Sequence, residues 1–333
     1  MKNLKNKSML LSYAFLVLGI SLVIWLIKQL GPQEILYNLK ILGWYFIPLI
    51  CPSLLTFLLQ TEAWNEFLKS VNYPLRFARL FMIKAAGEAV NNINPLNWGG
   101  GDPVRILLLK PWVPPTQGTA SVVVDRTLTS IALVLFMLIG ILIALVDFDF
   151  PLNVKAGLSG SVLLMLGLTY YFYHQQHQGL FSFLIRLLQK LKLKKNFSEK
   201  SLQQAEEVDG YISQFYKQHQ GRFFLAVFYH FLTRFLGVME IFLAAYFLGA
   251  PITFVGAYLM ASVTAIAIMI FAFIPGAVGV MEGTYAATFH LLSLDPATGT
   301  SVQIFRRIRT LLWAGIGFAY ISWQQRSVPK NNT

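Results

Sequence analysis

Apolar runs long enough to cross a bilayer alternate with short polar or basic stretches along this chain. A spanning helix needs about 20 predominantly apolar residues. Runs of this kind occupy residues 9–27, 43–64, 118–146, 156–173, 222–248, 252–273 and 301–323. They predict an all-α polytopic membrane protein with about seven transmembrane helices. Lys2, Lys5 and Lys7 precede the first run and no A-x-A-like cleavage site follows it. The run therefore reads as a retained helix with the N-terminus in the cytoplasm. Residues 28–42 read as a short outer loop. In the second run, Trp44, Tyr45 and Trp64 fit interfacial belts, Pro48 and Pro52 predict a kink, and Cys51 reads as a small buried hydrophobe.

Two stretches interrupt the pattern. Asn91 to Arg105 is polar and Gly-rich, and Pro95 and Pro103 within it remove backbone donors and clash with the preceding turn. Phe273 to Gly283 has the same character. Both read as breaks in helices at membrane depth, where irregular backbone persists only under cover of protein or around a water-filled cavity. Residues 75–115 read as a re-entrant hairpin that starts and ends on the cytoplasmic side. The second break leads into a half-helix over 280–294. The expected fold is thus about seven spans plus two re-entrant or broken helical hairpins, in one domain over 1–333. Breaks in opposite halves are compatible with an inverted repeat and point to a transport or binding site. The stretch 174–221 carries Arg186, Lys190, Lys192, Lys194, Lys195 and Lys200, with apolar residues from Phe181 to Leu191 at near-helical period. It reads as a cytoplasmic loop holding an amphipathic helix on an anionic lipid surface, or as a solvated basic loop.

Composition agrees. Of 333 residues, 56% are hydrophobic and 13% charged, against about 25% charged in soluble domains. The net charge of +12 is spread over loops and helix ends, where cytoplasmic positive charge and anionic headgroups account for it, so nucleic acid is not the expected partner. No segment outside the membrane is long enough for an ordinary catalytic domain. No cofactor or metal is expected: His174 and His177 lack nearby carboxylates, and Gly99–Gly101 lacks the strand and the Gly-Lys-Ser/Thr of a phosphate loop.

Ionisable residues inside spans are expensive, about 2.5–3.5 kcal/mol each on insertion scales, and usually face a bundle interior or cavity. Lys84, Glu88, Asn91 and Asn92 share one polar face; Ser121, Asp125 and Thr129 share another at four-residue spacing, with Arg126 adjoining. His230, Arg234 and Gly237 lie on one face with Glu240 at its edge, and Arg306, Arg307 and Arg309 cluster near the start of the last run. These groups either pair internally or line a polar cavity. An anionic headgroup would suit the second case, because guanidinium forks match phosphate oxygens and the helix starting near Gly279 points free donors into the break. Gly276 and Gly279 would allow close backbone approach. Glu282 would bind a cation, hold an arginine, or cap its own helix.

Three motifs resemble the flippase-like membrane domain of bacterial lysylphosphatidylglycerol synthases and their stand-alone relatives. They are Asn92-Ile93-Asn94-Pro95 with Gly100-Gly101-Asp102-Pro103-Val104-Arg105 and then Val124-Asp125-Arg126; Ile274-Pro275-Gly276-Ala277-Val278-Gly279-Val280-Met281-Glu282; and Arg307-Ile308-Arg309-Thr310. Asp102 stands where Glu is common in that family. The resemblance implies a multi-pass protein of a bacterial or archaeal cytoplasmic membrane that translocates a lipid or lipid-linked substrate. It carries no synthase activity here, because the chain stops at Thr333 without the aminoacyl-transferring domain.

The leading expectation is a flippase for an anionic or glycosylated lipid, a membrane phospholipid or glycolipid being its partner. Its binding set would be Glu88, Asn92, Asp102, Arg105, Asp125, Arg126, Arg234, Gly276, Gly279, Glu282 and Arg307, with no catalytic residue. A membrane-embedded transferase and a non-catalytic subunit of a lipid-synthesis complex are the alternatives. A homo-oligomer is compatible with the sequence.

Overall fold

A computed structural model describes residues 32–93, 100–147, 152–179, 181–183, 199–271 and 274–327, with the single positions 28 and 185. Among these the chain is helical and contains no strand. The helices are α1 (Pro32–Trp44), α2 (Phe46–Ser70), α3 (Phe77–Ile93), α4 (Gly101–Leu109), α5 (Pro115–Asp147), α6 (Leu152–Gln178), α7 (Glu199–Gln218), α8 (Gln220–Phe247), α9 (Phe254–Ile270), α10 (Val280–Leu291) and α11 (Pro296–Ser327), with a 3₁₀ turn at Pro275–Ala277. Among the described residues, three helices are long and apolar enough to cross a membrane: Phe46–Ser70, Pro115–Ile143 and Gln220–Phe247. The chain is an all-α polytopic membrane protein. The first apolar run, Asn94–Gly99 of the first break, and most of the basic stretch 181–198 lie outside the described residues.

The helices form two compact units. One comprises Met1–Phe57, Met82–Val104 and Phe235–Thr333. Small residues set its helix contacts, as expected where packing rather than water drives association. A Cβ added at Gly317 of α11 would lie 2.5 Å from the carbonyl oxygen of Ala85 in α3, and one at Gly299 would lie 2.7 Å from that of Tyr285 in α10. The Gly-rich turn folds back on α3 in the same way: Gly101 N donates to Asn91 Oδ1 at 2.8 Å, and a Cβ at Gly101 would fall 1.9 Å from Gly87 O. The long helix α11 is started by Asp295, whose carboxylate accepts from Ala297 N at 3.2 Å and Thr298 N at 2.6 Å. Pro296 occupies the first helical position, where its missing N–H is harmless.

The other unit comprises Leu58–Phe81 and Arg105–Arg234. Its core joins α2, α5, α7 and α8 through Ala63, Phe67, Ala120, Val124, Leu128, Val208, Ile212, Phe215, Tyr216, Ala226 and Val227. Helix α7 lies within the stretch 174–221, C-terminal to the Phe181–Leu191 positions where the sequence places an amphipathic helix. Its apolar positions recur at helical spacing, and their burial against α5 contributes about 1.5–3 kcal/mol per large side chain. Asp209 of α7 also accepts from Phe181 N at 3.0 Å and Ser182 N at 2.8 Å, fixing the turn that follows α6.

Three smaller expectations are corrected. Residues 32–44 are helical rather than a loop; Asn38 of α1 is buried and donates to Ser301 Oγ at 3.3 Å. Trp64 is fully buried rather than interfacial. Cys51 is exposed on α2, because the outer face of a membrane-spanning helix meets acyl chains as apolar as a protein core.

Candidate functional site

Among the described residues, each unit holds a buried cluster of ions. In the unit containing Arg105–Arg234, the four-residue spacing of Ser121, Asp125 and Thr129 places all three on one face of α5. Arg105, from α4, is completely buried and donates through Nη2 to Asp125 Oδ2 at 2.7 Å. Its guanidinium carbon lies 3.8 Å from the centroid of Trp64, whose Nε1 donates to Ser121 Oγ at 3.1 Å. From α8, His230 Nε2 sits 3.1 Å from the other oxygen of Asp125, and its Nδ1 sits 3.3 Å from Thr129 Oγ1. One turn along α8, Arg234 Nη2 donates to Thr129 O at 3.4 Å. Asp125 is thus a carboxylate between an arginine and a histidine, all three buried. Breaking such a pair on one side strands a charge, which costs more than the pair contributes.

In the other unit, the second break is a backbone cluster. Gly276 and Gly279 have φ of 60° and 81°, and Ala277 follows with φ 45°. These positive-φ positions lead the chain into α10, which starts at Val280. Glycine removes the steric penalty at two of them; Ala277 carries it and needs outside support. Arg307 of α11 supplies the support, donating from Nη1 to Gly276 O at 3.1 Å and from Nη2 to Ala277 O at 3.1 Å. Its Nη2 also donates to Glu282 Oε2 at 3.0 Å, and its Nε to Glu282 Oε1. Glu282 in turn accepts from Gly279 N at 2.8 Å. It therefore caps its own helix and holds an arginine at once, two of the three roles left open for it.

The same turn of α11 carries two further arginines. Arg306 donates to the Tyr285 hydroxyl, and Arg309 donates to Glu240 Oε2, which lies 3.7 Å from Arg306 Nε. The side chains of Glu240 and Glu282 are each 1% exposed, while those of Arg306, Arg307 and Arg309 are 20%, 29% and 17% exposed. Two sealed carboxylates thus stand behind three partly open guanidinium groups, with one positive charge in excess.

Of the residues expected from sequence, Arg105, Asp125 and Arg234 are brought together in one unit, and Gly276, Gly279, Glu282 and Arg307 in the other. Glu88, Asp102 and Arg126 are half-buried and Asn92 is exposed. Sequence reasoning left His230, Glu240, Arg306, Arg309 and Trp64 out of the site. The first four carried a signal, being ionisable groups inside apolar runs; Trp64 carried none that separates a belt from a cation–π partner. Among the described residues no group of His, Cys, Asp and Glu could hold a metal ion.

Comparison with known proteins places this architecture. The model of the lysylphosphatidylglycerol synthase TM region matches residues 9–317. The chain belongs to that family. It is similar to a UPF0104 membrane protein of Pyrococcus horikoshii, 25% identical over 311 residues that span 89% of this chain and 92% of the relative. It is also similar to a UPF0104 membrane protein of Methanothermobacter thermautotrophicus, 26% identical over 154 residues, 45% of this chain and 46% of the relative. No solved structure matches it. As a member of the lysylphosphatidylglycerol synthase TM region family, the chain is a multi-pass membrane protein.

Proposed function

We propose that this protein moves a lipid, or a lipid-linked substrate, between the leaflets of a bacterial or archaeal cytoplasmic membrane. An anionic or glycosylated headgroup passes along polar protein surface while the acyl chains remain in the bilayer, which avoids most of the desolvation cost of crossing. The observation that carries this reading is the turn of α11 with Arg306, Arg307 and Arg309 partly open and Glu240 and Glu282 sealed behind them. Carboxylates in that position orient the guanidinium groups without neutralising them fully, and the open edges suit phosphate oxygens. Glu282 and Arg307 keep the second break in shape beside that turn of α11. The basic segment between α6 and α7 sits on anionic lipid, with the N-terminus in the cytoplasm.

The test is translocation of labelled anionic phospholipids and glycolipids in liposomes containing the purified protein. The expected result is transfer well above that of protein-free liposomes for at least one anionic lipid. Transfer at the protein-free rate for every lipid tried would overturn the reading.

A further inference from the structure

The hydrogen bonds around His230 raise the question of where its protons are. Thr129 has one hydroxyl proton. Its Oγ1 lies 2.7 Å from the main-chain oxygen of Asp125 and 3.3 Å from His230 Nδ1. The shorter contact takes the proton, because a carbonyl oxygen can only accept. With the hydroxyl turned that way, Oγ1 accepts from Nδ1 whenever Nδ1 carries a proton. On the other side of the ring, Nε2 faces Asp125 Oδ1 at 3.1 Å, and Asp125 is ion-paired through Oδ2 to the buried Arg105. A carboxylate held by arginine accepts, so Nε2 carries a proton. The contacts therefore accommodate an imidazolium, with both ring nitrogens donating, as well as a neutral ring protonated at Nε2.

We infer that His230 is a proton-binding site inside the membrane span, and that the substrate movement proposed above is coupled to the proton it holds. The inference rests on that reading for its coupled partner, but the proton site stands on the geometry of α5 and α8 alone. The charged groups that these contacts bring to His230 are Asp125 on α5, Arg105 on α4 through the same carboxylate, and Arg234 on α8 through Thr129 O. Loss of the Nδ1 proton leaves a neutral ring that still donates from Nε2 to Asp125. The Thr129 hydroxyl then turns from the main-chain oxygen to donate to Nδ1. One proton leaves, one hydroxyl rotates, and no other group changes its protonation. The imidazolium and Asp125 form an ion pair between two spanning helices, and the neutral ring does not. Proton loss therefore weakens the tie between α5 and α8 and removes a positive charge from the span. Imidazole is suited to this because it changes charge between about pH 5 and 8.

The experiment has two arms on the full-length protein. In the first, protein with ¹⁵N-labelled histidine in detergent is followed by NMR from acid to alkaline pH, His230 being identified by the signal lost in His230→Gln. The expected result is a doubly protonated ring at low pH that converts to a neutral ring with Nε2 protonated. Thr129→Val, which removes the hydrogen-bond partner of Nδ1 and keeps the histidine, should shift the pH of that conversion. A His230 ring that is neutral throughout, or unmoved by Thr129→Val, would overturn the proton site. In the second arm, transfer of a labelled anionic phospholipid in liposomes is measured against pH and against an imposed pH gradient. The wild-type rate should change by as much as about tenfold per pH unit, the limit for one proton, and His230→Gln should be flat. Equal pH profiles for the two would overturn the coupling. If no lipid moves with the wild type, the transport reading and the coupling both fall, and the NMR arm alone decides whether His230 binds a proton.

Discussion

The two ion clusters use arginine in opposite ways. Arg105 is sealed under Trp64 and donates through Nη2 to one carboxylate, a contact of side chain to side chain. Arg307 is partly open and spends its donors on two main-chain oxygens and a carboxylate, so it holds backbone that no helix supports. The first arrangement ties regular helices together through charge; the second keeps an irregular turn irregular. The difference teaches where each cluster is vulnerable. A sealed pair fails when its charge balance is lost, because water cannot reach the remaining ion. A partly open clamp fails when its geometry is lost, because a stranded guanidinium there can still be hydrated.

The largest expected effect follows from that contrast. Asp125→Asn leaves Arg105 buried without its carboxylate and should destabilise the protein by about 3–5 kcal/mol, read as thermal unfolding in detergent. Glu282→Gln keeps the shape and one acceptor and leaves Arg307 in contact with water, so the loss should be smaller, about 1–3 kcal/mol. Equal losses for the two would break the comparison. Gly276→Ala should cost less again, about 1–2 kcal/mol, because an L residue at φ 60° carries the left-handed penalty while the nearest atoms to its Cβ, at 3.5 and 3.9 Å, leave room for it. The smallest effect belongs to Gly157→Ala in α6, where nothing lies within 4 Å. It should be neutral or stabilise by up to about 1 kcal/mol through helix propensity, and it sets the baseline for the other three.

Much of this was legible in the sequence, for identifiable reasons. Proline and glycine mark both breaks, since proline removes a ladder donor and glycine costs backbone entropy in a helix. Helices α4 and α10 begin at Gly101 and Val280, within the two interrupted stretches. Four-residue spacing placed Asp125 with Thr129 and His230 with Arg234, and those faces do meet. What was not legible depends on partners distant in sequence. Helix α7 is polar on average and became a helix by burying Val208, Ile212 and Phe215 against α5. Trp64 is defined by Arg105, forty-one positions away in sequence. The early start of α11 was in principle readable, because Asp295-Pro296 is a cap followed by a proline at the first helical position. That Glu240 serves two arginines could not be read, since both lie more than sixty residues further on.

The central claim is that the arginine turn of α11 receives an anionic headgroup. The most direct measurement compares the initial rate of labelled anionic phospholipid transfer in liposomes for the wild type and Arg309→Gln at matched thermal stability. Losing one charge-assisted hydrogen bond, about 1.5–3 kcal/mol, should slow anionic lipid roughly ten- to a hundredfold and leave a zwitterionic lipid much less affected. Equal rates for wild type and variant on the anionic lipid would contradict the account.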